Sequence, residues 1–142
     1  MKKQPKLKAV VLIDAENISE TFADKIIGIC ESHYTVAEYR IYHRAKDQGT
    51  RRWTERSKGG DFLDIQLSSP PVKNKVDRRI KKHARNLMNR PDVDGICVVS
   101  SDGGFCSLTE DAAAAGKQLC FIGGKTPSHR LRRSGAQFMR LR

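Results

Sequence analysis

The sequence predicts an α/β fold, a single three-layer α/β/α domain with a mostly parallel central sheet. Short apolar runs alternate along the chain with stretches of helical periodicity, which is the mark of strand–helix–strand units. The run "GICVV" has no polar face, as expected of a strand covered by helices on both sides. A length of 142 residues suits one domain with a substantial core.

Residues 1–7 read as a basic extension and residues 8–142 as the domain. Lys8 to Ile13 forms the first strand. Ser19 or Thr21 caps a helix to about Ser32, with Phe22, Ile26, Ile29 and Cys30 at helical spacing. Val36 to Tyr42 supplies the β-favouring side chains of a second strand, which opens into a polar stretch from His43 to Gly60. A short third strand covers Phe62 to Leu67. The two prolines of "SSPPVKNK" then require a loop. A basic helix follows from about Asn74 to Asn89, its buried stripe being Val76, Ile80, Ala84, Leu87 and Met88. "DGICVVSSD" is the fourth strand, Phe105 to Ala115 a helix stopped by Gly116, and Gln118 to Ile122 the fifth strand. Pro127 opens a short helix to about Arg133, and "AQFMRL" adds an edge strand.

Charge narrows the partner class. The chain carries 27 Lys and Arg against 16 Asp and Glu, a net +11, which favours polyanions through counterion release. No apolar run is long enough to span a bilayer, and no basic amphipathic helix carries large aromatic anchors, which argues against a membrane partner. Only five apolar residues follow the charged start before Asp14, so a signal-peptide core is missing and a cytoplasmic location is expected. The four cysteines form no C-x-x-C pair and read as reduced structural thiols, and the four histidines are scattered singly, as surface or helix residues.

Against this basic background, "AVVLIDAENIS" ends a buried strand in Asp14, Glu16 and Asn17. In an open parallel sheet, ligands bind beyond the carboxyl ends of the strands, where strand order reverses. Asp14 and Asp102 both follow strand runs and are expected to be neighbours, with Asp77 in the first turn of the basic helix aimed at the same cleft. Carboxylates crowded together call for a cation, and an all-oxygen donor set suits Mg²⁺ or Mn²⁺. Asn17, Ser100 and Ser101 can hydrogen-bond around such a site.

These residues resemble the NYN domain, a branch of the PIN-like (Rossmann-like) family of metal-dependent ribonucleases. "VLIDAEN" resembles its first-strand motif, and "KVDRRI" its Asp-bearing element at the start of a central helix. "VVSSDGGF" resembles its Ser-x-Asp-x-Asp-Phe element, and "GKQLCFIGG" with "LRRSGAQFMRL" its closing strands and short helix. The resemblance runs from about residue 8 to residue 141. It implies that Asp14, Asp77 and Asp102 are metal-binding acids, that Asn17 is the amide beside the first, and that the reaction is endonucleolytic hydrolysis of RNA. Two positions depart from the pattern: Gly104 stands where the family usually has a second Asp, and His83 where many relatives have a further acid. Glu16 is the nearest carboxylate that could compensate.

Lys75, Arg78, Arg79 and Lys82 on the basic helix are expected to bind phosphates. Arg51 and Arg52 flank Trp53, which either stacks on an unpaired base or folds back over the core edge. "GGKT" at 123–126 lacks the earlier Gly of a phosphate loop and reads as a turn. A metal-dependent ribonuclease is the leading reading. The rival is an RNA-binding module of the same fold with weak or lost catalysis. A phosphatase with a strand-end Asp nucleophile fits less well, because Glu16 stands where its second Asp belongs. RNA is the expected partner, DNA is left open, and so is the oligomeric state, a homodimer included.

Overall fold

The computed structural model describes residues 6–45, 48–68, 75–100, 103–124 and 136–141. Six strands among them form one sheet in the order β3-β2-β1-β4-β5-β6: β1 (Lys8–Asp14), β2 (Thr35–Arg44), β3 (Leu63–Leu67), β4 (Gly95–Val99), β5 (Gln118–Gly123) and β6 (Gln137–Arg140). Every neighbouring pair is parallel. The helices among the described residues are α1 (Ala23–His33), α2 (Arg51–Ser57), α3 (Lys75–Met88) and α4 (Leu108–Ala115).

Alternation along β1 divides the core into two layers. Val11 and Ile13 face one side, with Ile26 and Cys30 of α1, Trp53 of α2 and Ile41 of β2. Val10 and Leu12 face the other, with Val76, Ile80, Ala84, Leu87 and Met88 of α3 and Leu108 and Ala112 of α4. All five residues of the expected apolar stripe of α3 are buried. Gly116 ends α4 in the left-handed region at φ 70°, which a side chain would strain. Cys30, Cys97 and Cys120 are buried free thiols in the first layer.

The segment 43–60 departs from the polar stretch expected of it. Strand β2 extends to Arg44, and a 3-10 turn at Gln48–Thr50 leads into α2. Two contacts that no periodicity reveals hold this segment in place. His43, expected at the surface or on a helix, is buried on β2, with Nε2 2.5 Å from Asp64 Oδ1 and Nδ1 3.1 Å from Thr50 Oγ1. Arg56 pairs with Asp24 at 2.6 Å and so ties α2 to the first turn of α1. The chain before α1 is also tighter than expected, with a 3-10 turn at Glu20–Phe22 capped by Ser19. The loop expected over "SSPPVKNK" falls largely outside the described residues, and the short helix expected from Pro127 to Arg133 lies wholly outside them.

Candidate active site

Strand β1 is flanked by β2 on one side and β4 on the other, so the chain winds outward from it in both directions. That is where strand order reverses and a crevice opens at the carboxyl edge. Asp14 is the last residue of β1, in register with Tyr42 and fully buried. Its backbone carbonyl accepts the N–H groups of Asn17 (3.1 Å) and Ile18 (3.0 Å), which turns the chain sharply after the strand. The turn brings Asn17 back so that its Nδ2 donates to Asp14 Oδ2 at 2.7 Å. Ser100, immediately after β4, donates from Oγ to the same oxygen at 3.1 Å, and its own N–H is bonded to the Ile122 carbonyl of β5. The carboxylate is thus oriented by donors from two sides of the crevice.

Asp77 is half-buried in the first turn of α3. That turn lies at the carboxyl edge of the sheet, because Lys75 Nζ donates to the carbonyl of Ser68, just beyond β3, at 2.5 Å. The helix packs over β1, and Val76 joins Leu12, Tyr42 and Leu67 in one apolar layer. Asp77 and Lys81 share a flank at i, i+4, and the Lys81 ammonium lies 5.9 Å from the centre of the Phe105 ring. Asp77 therefore belongs to the flank turned toward the segment after β4. Ser101 and Asp102 fall outside the described residues, between Ser100 and the 3-10 turn at Gly103–Ser107.

Among the described residues no group of three or more His, Cys, Asp or Glu side chains is arranged to hold a metal ion. Of the expected acids, Asp14 stands at the crevice with an amide and a hydroxyl bonded to it, and Asp77 stands in the first turn of α3 at the same edge of the sheet. This all-oxygen set matches a hard divalent ion and not a soft one. Glu16 is engaged elsewhere: Arg44 approaches its Oε2 with both the backbone N–H and Nε, each at 3.0 Å. It ties the turn after β1 to the end of β2, a structural role that its sequence position did not suggest.

The basic residues separate into groups. On α3, Lys75, Arg79 and Lys82 recur at i, i+4 and i+7 along one flank, and Arg78, Lys81 and Arg85 along the other. Arg85 is paired with Asp111 of α4 at 2.9 Å. Arg51 and Arg52 are exposed on α2 and, with Glu20, Glu55 and Arg56, line an open cleft of about 600 Å³. Trp53 does not share their exposure. It is 1% accessible, its indole N–H donates to the Ile18 carbonyl at 2.6 Å, and its ring meets Phe62 edge-on at 5.5 Å. The base-stacking role is therefore corrected, since the ring has no free face and secures the loop that carries Asn17.

Sequence reasoning missed a chain of polar contacts behind the site. Glu38 accepts from Arg40 Nε at 3.1 Å, Arg40 reaches the Tyr42 hydroxyl at 3.5 Å, and that hydroxyl is 2.7 Å from His83 Nδ1. The signal was the i, i+2 alternation of Glu38, Arg40 and Tyr42 on one face of β2. Burial raises the Tyr42 phenol, so it stays protonated and shares a hydrogen bond with His83 Nδ1. Burial, then Arg40, Arg79 and Lys82, lower the His83 pKa. Folded His83 thus holds fewer protons than it does unfolded, and its contribution to stability is lost as pH falls from about 6.5 through its lowered value. In urea titrations at constant ionic strength, the unfolding midpoint should drop more between pH 7.5 and 5.5 for the parent protein than for His83→Gln.

The family model of the NYN domain matches residues 8–142. No curated protein matches the chain. NYN domains have a PIN-like nuclease fold, are generally nucleases and typically use divalent metals, and the parallel six-stranded sheet with helices on both faces agrees with that fold. No described helix is long and apolar enough to cross a membrane. On the match over nearly its whole length and on its architecture, the chain belongs to the NYN domain family.

Proposed function

We propose that this protein is a Mg²⁺- or Mn²⁺-dependent endoribonuclease. The observation that carries the reading is Asp14, a carboxylate buried at the tip of the central strand and oriented by Asn17 and Ser100 where strand order reverses. Asp14 and Asp77 would hold the ion, with Asp102 as third ligand on the family pattern. When bound, the divalent ion supplies activation of water and stabilisation of charge on the phosphoryl oxygens. The chain's own groups do the rest. Asn17 and Ser100 fix the rotamer of Asp14, and the net +11 draws the RNA backbone to a pocket whose carboxylates would otherwise repel it. The same reading places the protein in the cytoplasm, where its free cysteines stay reduced.

The test is cleavage of an end-labelled single-stranded RNA with Mn²⁺ and with chelator, beside single-stranded DNA of the same sequence. Metal-dependent internal cleavage of the RNA supports the proposal. Binding without cleavage in either condition refutes it.

Gly104 favours a second reading, an RNA-binding module with weak catalysis. It stands where the family motif has an Asp, so the site is one carboxylate poorer. Gly104→Asp should raise Mn²⁺-supported cleavage several-fold if the missing acid limits metal occupancy. Metal affinity of the parent and variant, measured by calorimetry, should move in step. A cleavage rate that stays flat while affinity rises would dissociate occupancy from turnover.

A further inference from the structure

The two basic flanks of α3 have different surroundings. On the flank facing α4, Lys81 lies over Phe105 and Arg85 is paired with Asp111. On the other flank Arg79 and Lys82 are exposed, and among the described residues neither has a carboxylate partner within ion-pair distance. This second flank overlooks a part of the sheet that α3 leaves uncovered. Tyr42 and Arg40 of β2 stand in register with Ile65 and Leu63 of β3, on the α3 face. Ile65 is half-buried, and Leu63 is 50% exposed, one of two large apolar side chains so exposed among the described residues. The result is a groove with an apolar floor of Leu63 and Ile65, His83 at its back over the fully buried Tyr42, and a rim of Arg79 and Lys82 beside His83. Arg40 is already taken up by Glu38.

We infer that this groove between α3 and β3 is a binding track for single-stranded nucleic acid, leading away from the Asp14 crevice on the β2–β3 side and not over α4. The inference deepens the ribonuclease reading and rests on it for the identity of the ligand. The rim cations suit the phosphates, three residues or about 4.5 Å apart along the helix axis. The apolar floor suits a splayed base. A duplex keeps its bases stacked inside and would use the rim alone, so the combination selects an unpaired strand. Lys75, in the first turn of the same flank, is bonded to the Ser68 carbonyl just beyond β3, so the flank begins at the sheet edge where β1 ends in Asp14.

The experiment is fluorescence anisotropy of a labelled single-stranded RNA, in chelator, across a salt series, on the full chain. Arg79→Ala/Lys82→Ala is compared with Lys81→Ala/Arg85→Ala, an equal loss of charge from the opposite flank. The groove pair should weaken binding at least tenfold near 100 mM salt and flatten the log–log salt slope by about 1.4, two phosphate contacts at about 0.7 each for a single strand. The α4-side pair should change affinity less than about threefold. Leu63→Ala should weaken single-strand binding a few-fold with the salt slope unchanged, and leave a blunt duplex of the same length unaffected. Equal losses from both flanks, no loss from the groove pair, or no RNA binding by the parent protein would each overturn the track. So would a Leu63→Asp variant that converts a sedimenting dimer to monomer while RNA affinity is kept, because the floor would then be an interface between two copies. The chelator separates the two proposals: a protein that fails to cleave with Mn²⁺ can still show the track, and one that cleaves can lack it.

Discussion

Asp14→Asn is expected to lower metal-dependent RNA cleavage by at least roughly 100-fold while leaving the protein at least as stable as before. Asn preserves the shape of the side chain and offers a carbonyl oxygen to the Asn17 and Ser100 donors, which lie 2.7 and 3.1 Å from Asp14 Oδ2. What it removes is the negative charge, and with it the strongest ligand for a hard cation. Loss of an outer-shell partner typically costs 10- to 100-fold, so loss of a direct ligand should cost at least the upper figure. Stability should move the other way. A buried carboxylate is expensive unless its charge is met, and sites of this kind are maintained for function at the expense of stability. A melting temperature equal to or above the parent's in chelator, with cleavage lost in Mn²⁺, is the expected pair of results. Parent-like cleavage by Asp14→Asn would remove Asp14 from the metal site. Asn17→Ala, which keeps the acid and deletes only its orienting amide, should fall between the two in rate.

Trp53→Ala should have the largest effect on folding. Trp53 is fully enclosed, packs edge-on against Phe62, and Phe62 in turn meets Tyr39 at 5.4 Å and lies under Arg56 at 5.6 Å. Truncating such a ring costs about 3–5 kcal/mol. Small domains have only about 5–15 kcal/mol in all. The urea midpoint should fall sharply without a change in slope. Trp53→Phe separates packing from hydrogen bonding. It keeps most of the ring but leaves the Ile18 carbonyl without the indole donor now 2.6 Å away, at a cost of about 1–3 kcal/mol. Because Ile18 adjoins Asn17, and both backbone N–H groups bond to the Asp14 carbonyl, the Phe variant should also lose part of its cleavage rate at temperatures where it is fully folded. A base-stacking Trp53 would behave differently. Its Phe variant would keep stability and lose RNA affinity alone.

Which features were legible in the residues follows from the range of the interactions that create them. The apolar run ending in Asp14 and the stripe of α3 repeat at periods of two and 3.6, so each could be read from neighbours a few positions away. The order of the motifs along the chain carried the family as well. The charge excess and the two acidic strand tips together pointed to nucleic acid and metal before any geometry was known.

Tertiary structure alone decided the roles of Trp53, Glu16, His43 and His83. Trp53 lies among arginines in the chain, yet its partner is the Ile18 carbonyl 35 positions earlier. Glu16 looks like a spare ligand until Arg44 is seen to bind it, 28 residues on. His43 finds Asp64 on the next strand, and His83 finds Tyr42 across the layer between helix and sheet. The two flanks of α3 are equally basic in sequence, and only the placement of α4 against one and of β3, with its exposed Leu63, beside the other distinguishes them. The physical reason is common to all of these. Backbone geometry and burial impose periods on a sequence, but a polar side chain takes whichever partner the packed elements bring within about 3 Å, and no local pattern records that meeting.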